Sequence, residues 1–499
     1  MASVAVSDLN PLPGTGNAIA AAMTQDYEWA EMTLQFTLGG DDVLDWQNDD
    51  FSTLRDTFNA FFGGWADTNF YFADMTRSAF AIIDSVSNLD FAESADPNAV
   101  DLVVVSTYKP RSSTEGFFQF PGVLERAPND SWSVGAFNSG LSHMRVDNEL
   151  GGGAYANWTI LHEIGHSLGL KHTHYDGGSQ SGDPLAEVGR FMDNERYSVM
   201  SYNGASQGQA YGHALSFMAL DVAALQALYG AEAYAGLDSG YTLVNAKSAG
   251  FDLTENDVQI GRAYYCIWDS GGEDVIDYGN SNKSVMINLN DATLDTSGWA
   301  ADVADVIDDV MATAFYRKLA GALKQEIIDE WHHAGGFFSR VLTNVDGIYK
   351  SQAGGLTIAN GVDIENGDGG SKADLLIGNE VGNRLEGFGG NDTLLGSGGG
   401  DMLVGGSGRD WLDGGEGDDT LTGGLGNDRF VFAIGSGSDR VADFTTGDRI
   451  DLREWGFTGA SDLNAILTDD GTDFIFTFAT GDSLRISNVD TMDITDFIL

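Results

Sequence analysis

Gly405-Gly406-Ser407-Gly408-Arg409-Asp410-Trp411-Leu412-Asp413 is followed without a gap by Gly414–Thr422 and Gly423–Val431, and all three fit one pattern, G-G-x-G-x-D-x-U-x with U apolar. Read upstream, the same period gives seven contiguous nonapeptides over residues 369–431. The sixth position carries Asp374, Asn383, Asp392, Asp401, Asp410, Asp419 and Asp428; the eighth carries Leu376, Leu385, Leu394, Leu403, Leu412, Leu421 and Phe430. The glycines permit a turn whose carbonyls point at a cation, and the aspartate adds a carboxylate. The residues after the aspartate make a short strand whose apolar member points inward. Two nonapeptides complete one coil of a parallel β-roll, so aspartates eighteen residues apart stack along one edge. A flexible glycine-rich linker has no reason to keep this period through seven units.

An all-oxygen ligand set is what hard Ca²⁺ prefers. The candidate ligands in the roll are Asp374, Asp392, Asp401, Asp410, Asp419 and Asp428. With them come the carbonyls of Gly387, Gly389, Gly390, Gly396, Gly398, Gly405, Gly406, Gly408, Gly414 and Gly423. Asn383 breaks the series in the poorest repeat, Gly378 to Glu386.

Well upstream lies a second, non-repeating motif. His162-Glu163-Ile164-Gly165-His166-Ser167-Leu168-Gly169-Leu170-Lys171-His172 reads H-E-x-x-H-x-x-G-x-x-H. On a helix, residues four apart share a face, so His162 and His166 aim at one point. Gly169 can take a left-handed conformation, end the helix and let His172 reach the same point from another direction. Three imidazoles are the ligand set of a catalytic zinc, and Glu163 beside the first is placed to take a proton from a water.

Composition narrows the choices. The 499 residues suit two or three domains, and 42% are hydrophobic, enough for a sizeable core. Seventy-five acids against 25 bases give a net charge of −50, which repels nucleic acid and anionic membranes. The single cysteine, Cys266, excludes an intramolecular disulfide and sits in an apolar run that reads as a buried strand. No apolar run is long enough for a transmembrane helix. The N-terminus lacks a basic segment followed by an apolar one, so a cleaved signal is not expected.

Along the chain, residues 1–30 read as a propeptide or N-terminal arm. Met32 to Leu38 alternates as a strand, Phe51 to Trp65 and Asp74 to Leu89 have helical spacing, and 101–106 and 141–146 read as strands. Trp158, Leu161, Ile164, Gly165 and Leu168 form the inner face of the histidine helix. Strands alternating with helices suggest an α/β domain over 31–235. The remainder, 236–499, is expected to be all-β. Within it, 300–352 is expected to be a helical insertion, because Val303, Val306, Ile307, Val310, Met311 and Ala314, then Phe315, Leu319, Leu323, Ile327 and Trp331, keep helical spacing.

Ser198-Val199-Met200-Ser201-Tyr202-Asn203 resembles the Met-turn of the metzincin metalloproteases. Its Met-x-Tyr order looks like the astacin and serralysin branches. Leu220 to Gly230 resembles the closing helix of serralysin catalytic domains, and the nonapeptides resemble RTX repeats. Trp268-Asp269-Ser270-Gly271-Gly272-Glu273-Asp274 looks like a further calcium site of that family, with Asp269, Gly271 and Asp274 as ligands. The terminal Asp496-Phe497-Ile498-Leu499 is similar to the end of type I secretion substrates. One departure is Thr173, where serralysins usually have proline; the 300–352 insertion is another.

The resemblance implies an α+β multidomain protein: a metzincin α/β catalytic domain followed by an all-β parallel β-roll or sandwich. It implies one catalytic Zn²⁺ on His162, His166 and His172 with Tyr202 as a further ligand, Met200 packed beneath it, and several structural Ca²⁺. Each Ca²⁺ is expected between a repeat and the second repeat after it. The implied activity is a secreted, extracellular zinc endopeptidase with Glu163 as general base and Tyr202 stabilising the oxyanion. Its implied partners are protein or peptide substrates, the type I secretion apparatus and a proteinaceous inhibitor. The competing reading is a calcium-dependent adhesin or binding protein with an inactive metalloprotease domain.

Overall fold

The computed structural model describes residues 4–5, 27–29, 32–39, 70–94, 100–107, 116–118, 124–126, 130–138, 155–173, 192–203, 213–232, 238–244, 257–259, 263–292, 294, 308, 310–325, 327, 339–351, 355–489 and 491–499. The expected helix at 51–65 and strand at 141–146 lie outside them. The chain divides into two compact units. One holds Met1–Tyr234, Val244–Trp268 and Thr293–Thr296; the other holds Ala235–Leu243, Asp269–Ala292 and Ser297–Leu499. Strands dominate and helices are few. Among the described residues no helix is long and apolar enough to cross a membrane.

The first unit is built on a six-stranded sheet. Strands β1 (Thr33–Gly39), β2 (Asp90–Glu93), β3 (Leu102–Thr107) and β6 (Asp130–Asn138) run parallel in the order β2-β1-β3-β6. The short strands β4 (Gly116–Phe118) and β5 (Leu124–Arg126) pair antiparallel to β6. Helix α1 (Phe70–Val86) connects β1 to β2 and buries Met75, Ala79, Phe80 and Ile83. Residues every three or four positions thus make one apolar face, and Phe80 stacks on Phe91 of β2 at 4.6 Å.

Helix α2 (Tyr155–Ser167) carries the first two histidines and is buried almost all round. Gly169, at φ 96°, ends it in a Schellman arrangement: Leu170 N–H donates to Gly165 O at 2.9 Å, and Gly169 N–H to His166 O at 3.1 Å. Two more carbonyls at this end are satisfied from far away in sequence. Trp29 Nε1 donates to Ser167 O at 2.8 Å, and the Tyr229 hydroxyl donates to Leu168 O at 2.7 Å. Tyr229 closes helix α3 (Ala219–Tyr229), whose Gln226 caps Val86 O of α1 at 3.0 Å.

The second unit is a two-sheet roll. In one sheet, Arg384–Glu386, Met402–Gly408 and Thr420–Gly426 pair in parallel with Leu385, Leu403 and Leu421 in register. In the other, Leu375–Ile377, Thr393–Leu395, Trp411–Asp413 and Arg429–Val431 align Leu376, Leu394, Leu412 and Phe430. Each register step is eighteen residues, one coil. All seven inward residues are buried. The turns stack backbone on backbone: a Cβ on Gly408 (φ 153°) would lie 1.4 Å from Gly390 O, so no other residue fits there.

The insertion corrects the expectation of an all-helical segment. Its described first part is helical at 310–312, Ala314–Arg317 and 321–325, but Arg340–Val345 and Ile348–Ser351 form an antiparallel hairpin. Asp346 (φ 54°) and Gly347 (φ 84°) make its tight turn, the positive φ at both positions being what a two-residue hairpin needs. The apolar stripe is buried on the roll. Val310, Phe315, Leu319, Leu323 and Ile327 form one cluster with Met286, Leu342, Tyr349, Leu375, Ile377 and Leu395. Leu375, Ile377 and Leu395 flank the inward positions of their strands and therefore face outward, and the insertion covers them.

Candidate metal centre

Backbone carbonyls orient two of the three histidines of the H-E-x-x-H-x-x-G-x-x-H motif. His162 Nδ1 lies 2.8 Å from Val199 O, and His166 Nδ1 lies 2.8 Å from Leu170 O. A carbonyl can only accept, so both Nδ1 atoms carry a proton, and in the neutral ring that leaves each Nε2 with a lone pair. Those lone pairs converge with the ring of His172. Its Nε2 is 3.2 Å from His162 Nε2 and 3.0 Å from His166 Nε2. All three rings are buried. They form the group of His, Cys, Asp or Glu side chains that could hold a metal ion among the described residues.

The geometry suits a metal. Zn–N bonds of about 2.0–2.1 Å at tetrahedral angles put ligand nitrogens roughly 3.3 Å apart. Buried lone pairs this close otherwise repel one another, so the donor set fits zinc. The Tyr202 hydroxyl sits 2.8 Å from His172 Nε2, and its ring stacks on His162 at 5.2 Å with 57% of the residue exposed. Tyr202 therefore reaches the cluster from the solvent side. Glu163 is half-buried on α2 beside the first histidine. Met200 is fully buried, and a Cβ on Gly165 would lie 2.7 Å from its Sδ, so that glycine is what lets the methionine pack against α2.

Two buried aspartates hold the turn, and the motif reading missed both. Asp221, in the first turn of α3, accepts from Ser198 Oγ at 2.6 Å, Val199 N at 2.7 Å and Met218 N at 3.0 Å. Burial pushes its carboxyl up to about 7 against the opposing pull of these donors. Its hold on Val199 passes directly to His162 through the Val199 carbonyl. Asp193 holds the other end of the turn. An acid in a helix first turn is an ordinary sequence signal, but nothing local marks Asp193. Cys266 is buried and burial raises its thiol far above the usual range, so it is a structural side chain.

The roll carries a different kind of site. Each aspartate uses Oδ1 to accept the backbone N–H of the aspartate or asparagine eighteen residues earlier. Asp392 accepts from Asp374, Asp401 from Asn383, Asp410 from Asp392, Asp419 from Asp401 and Asp428 from Asp410, all at 2.7–2.9 Å. The Oδ2 atoms of these same five residues, and of Asp274, are buried with no hydrogen-bond partner. Beside Gly387 a Cβ would meet Asp392 Oδ2 at 2.6 Å and Gly405 O at 2.7 Å. Beside Gly396 it would meet Asp401 Oδ2 and Gly414 O, both at 2.2 Å. These are oxygen-lined cradles between a repeat and the second one after it, and they fit Ca²⁺. Without cations they are unfavourable. Burial, then the charges of Asp374 and Asp410, pushes Asp392 up to about 9; burial pushes Asp401 to about 8 and Asp410 to about 7.

The ends of this ladder are capped. Asp374 uses both oxygens on backbone donors, Val285 N and Gly370 N. Asn383 Nδ2 donates to Glu365 O at 3.2 Å and Asn379 Oδ1 at 2.9 Å, and its Oδ1 accepts from Asn379 N at 2.8 Å, so the amide is engaged at both ends and brings no charge to the cradle beside Gly378. At the far end the ladder runs past the last nonapeptide. Asp439 accepts from Asp419 N, and Asp448 from Asp428 N and Thr445. The spacing there is twenty, so a strict nine-residue count missed both; the D-R-V and D-R-I triplets were the available signal. At the earlier candidate site, Asp274 Oδ1 accepts from Ser239 N, Asp274 N donates to Glu365, and Asp269 accepts from Tyr241 and Gly271.

Comparison with known proteins matches the repeats to a family and the chain to several metalloproteases. Residues 368–403 and 395–430 match the family described as RTX calcium-binding nonapeptide repeat. Serralysin of Photorhabdus laumondii is 26% identical over 306 residues, covering 60% of this chain and 52% of that protein. Metallopeptidase AprA of Pseudomonas marginalis is 29% identical over 420 residues, covering 81% and 72%. Metalloprotease AprA of Pseudomonas entomophila is 31% identical over 257 residues, covering 49% and 41%. The chain spans about half the length of the Photorhabdus relative.

Proposed function

We propose that this chain, a homologue of the serralysin and AprA metalloproteases that carries RTX calcium-binding repeats, is a secreted zinc endopeptidase acting on extracellular proteins or peptides. The observation that carries this reading is the convergence of three buried imidazoles, His172 Nε2 lying 3.2 Å from His162 Nε2 and 3.0 Å from His166 Nε2, with the outer nitrogens of His162 and His166 engaged. In this reading residues 31–235 form a metzincin protease domain and 236–499 an RTX roll interrupted by the 300–352 insertion. Residues 1–30 form a propeptide or arm. His162, His166 and His172 hold zinc, with Tyr202 as a fourth protein ligand at rest. When bound, zinc supplies a Lewis acid that polarises the scissile carbonyl and acidifies a water.

The chain's own residues do the rest. Glu163 takes the proton from the attacking water and returns it to the leaving amine. Tyr202 swings from His172 to donate a hydrogen bond to the tetrahedral oxyanion. Val199 O and Leu170 O keep two rings in the ligating tautomer. Asp269, Gly271, Asp274 and the roll aspartates with free Oδ2 atoms hold Ca²⁺. Type I export, with a proteinaceous inhibitor as a further partner, belongs to the same reading.

The test is Glu163→Ala. It leaves the three histidines in place, so zinc content should stay at one per chain while casein hydrolysis falls about 10²–10⁴-fold. Full proteolysis by a zinc-loaded variant would refute the assignment of the base.

A further inference from the structure

We propose that Asp193 is a positioning residue for Tyr202, fixing the backbone on both sides of it and tying that backbone to the segment that carries His172. The inference rests on the protease reading above. Asp193 is 8% exposed. Its Oδ1 accepts from Ser201 Oγ at 2.8 Å and from Thr173 Oγ1; its Oδ2 accepts from Asn203 Nδ2 at 2.8 Å. The same Asn203 amide donates to Asp193 O at 2.9 Å, and Asn203 N donates to Ser201 Oγ at 3.1 Å. One carboxylate thus collects donors from the residue before Tyr202, the residue after it, and the residue after His172.

The consequence is mechanical. Ser201 and Thr173 are fully buried while the Tyr202 side chain between these contacts is open to solvent. The backbone pivot is held and the phenol is left to rotate about its own side-chain torsions. A phenol that must leave His172 and return has two positions to find, and a fixed pivot makes both reproducible. Asp221 holds the opposite end of the turn and acts on His162 through Val199. The two aspartates therefore divide the turn, one serving a histidine and the other the tyrosine.

Full-length protein, stripped of zinc and given one equivalent of Cu²⁺, reports on the phenol directly, because phenolate bound to Cu²⁺ absorbs in the visible. Tyr202→Phe identifies that band. Asp193→Ala should still bind one equivalent through the histidines but lose most of the band. With zinc, its kcat should fall about tenfold or more and its KM should stay within about twofold. Asp193→Asn should recover part of both, since its amide oxygen can still accept from Asn203 while the two hydroxyls turn to accept from its NH₂. Combined with Tyr202→Phe, Asp193→Ala should add little further loss. A full band in Asp193→Ala, or additive losses in the double variant, overturns the proposal. If Asp193→Ala fails to fold, Ser201→Ala decides: a weakened band supports the proposal and an unchanged one overturns it. A wild-type protein with no Tyr202-dependent band also overturns it. A band without peptide cleavage refutes the protease reading instead, and the inference is then settled by the band alone.

Discussion

The histidine centre and the aspartate ladder are both candidate metal sites, yet they are built on opposite principles. At the histidine centre, His162 and His166 are each aimed by a hydrogen bond to a carbonyl, and the turn beside them is held by Asp221 and Asp193 from distant segments. Nothing there carries a formal charge that only the metal can neutralise. In the ladder, five buried carboxylate oxygens lack any partner, and burial raises every one of their carboxyls. The first site is organised before its metal arrives. The second is complete only when cations replace missing hydrogen bonds and cancel stacked charge. Placing three nitrogens needs long-range packing, whereas a repeated turn needs only an ion.

The largest expected effect follows from this difference. Removing Ca²⁺ from the whole protein with a chelator that spares zinc should unfold the roll, because its ion-binding energy is part of its folding energy. Hydrogen exchange should show backbone amides of 369–431 losing protection while those of α2 and α3 keep theirs. Equal loss in both regions, or none in the repeats, would break the contrast. Free Ca²⁺ is low inside cells and about millimolar outside, the range in which extracellular calcium modules bind. On the secretion proposed above, the same switch would keep the roll unfolded until export and staple it afterwards without disulfides.

A smaller effect should come from Asn383→Asp. The native amide donates to Glu365 O and Asn379 Oδ1, and a carboxylate cannot. In calcium-free conditions the variant should lose about 1–3 kcal/mol from the unsatisfied acceptors. With excess calcium it should recover and bind one further ion per chain by equilibrium dialysis. Unchanged stoichiometry would mean that the missing charge at position 383 is not what limits ion binding there.

The smallest effect is a proton count. Asp392, Asp401 and Asp410 titrate at about 9, 8 and 7 without cations, all above the unfolded carboxylate range near 4. The sign follows from linkage. A folded pKa above the unfolded one means that the folded roll binds the extra protons, so this contribution to calcium-free stability is fully present below about pH 4 and is lost as pH rises from there through the folded values of about 7 to 9. Calcium must displace those protons. Adding it at neutral pH to weakly buffered protein, with enough sucrose to hold the calcium-free roll folded, should therefore acidify the solution by about two protons per chain. Calcium uptake by the folded roll with no proton release would remove the carboxylates from the ion sites.

Much of this molecule was legible in its residues alone. The nonapeptide period determined the coil length, the inward leucines and the aspartates that stack, because the strands of successive coils within the repeats pair residues eighteen apart. The spacing of His162, His166, Gly169 and His172 determined the convergence of three rings, because helix geometry and one left-handed glycine are local properties. Other features were decided only by tertiary structure. Asp193 and Asp221 matter through partners up to 23 residues away that share no period with them. Trp29 caps α2 across 138 residues. The insertion's apolar stripe announced burial but not its site, which depends on Leu375, Ile377 and Leu395 facing out of a roll whose other strands are more polar. Its hairpin was written locally, in Asp346-Gly347, and was obscured by the helical spacing before it. Which aspartates keep a free oxygen was not written locally at all. Asp374 and Asp392 occupy the same place in the repeat, and only the backbone donors of Val285 and Gly370 make one a cap and leave the other open to a cation.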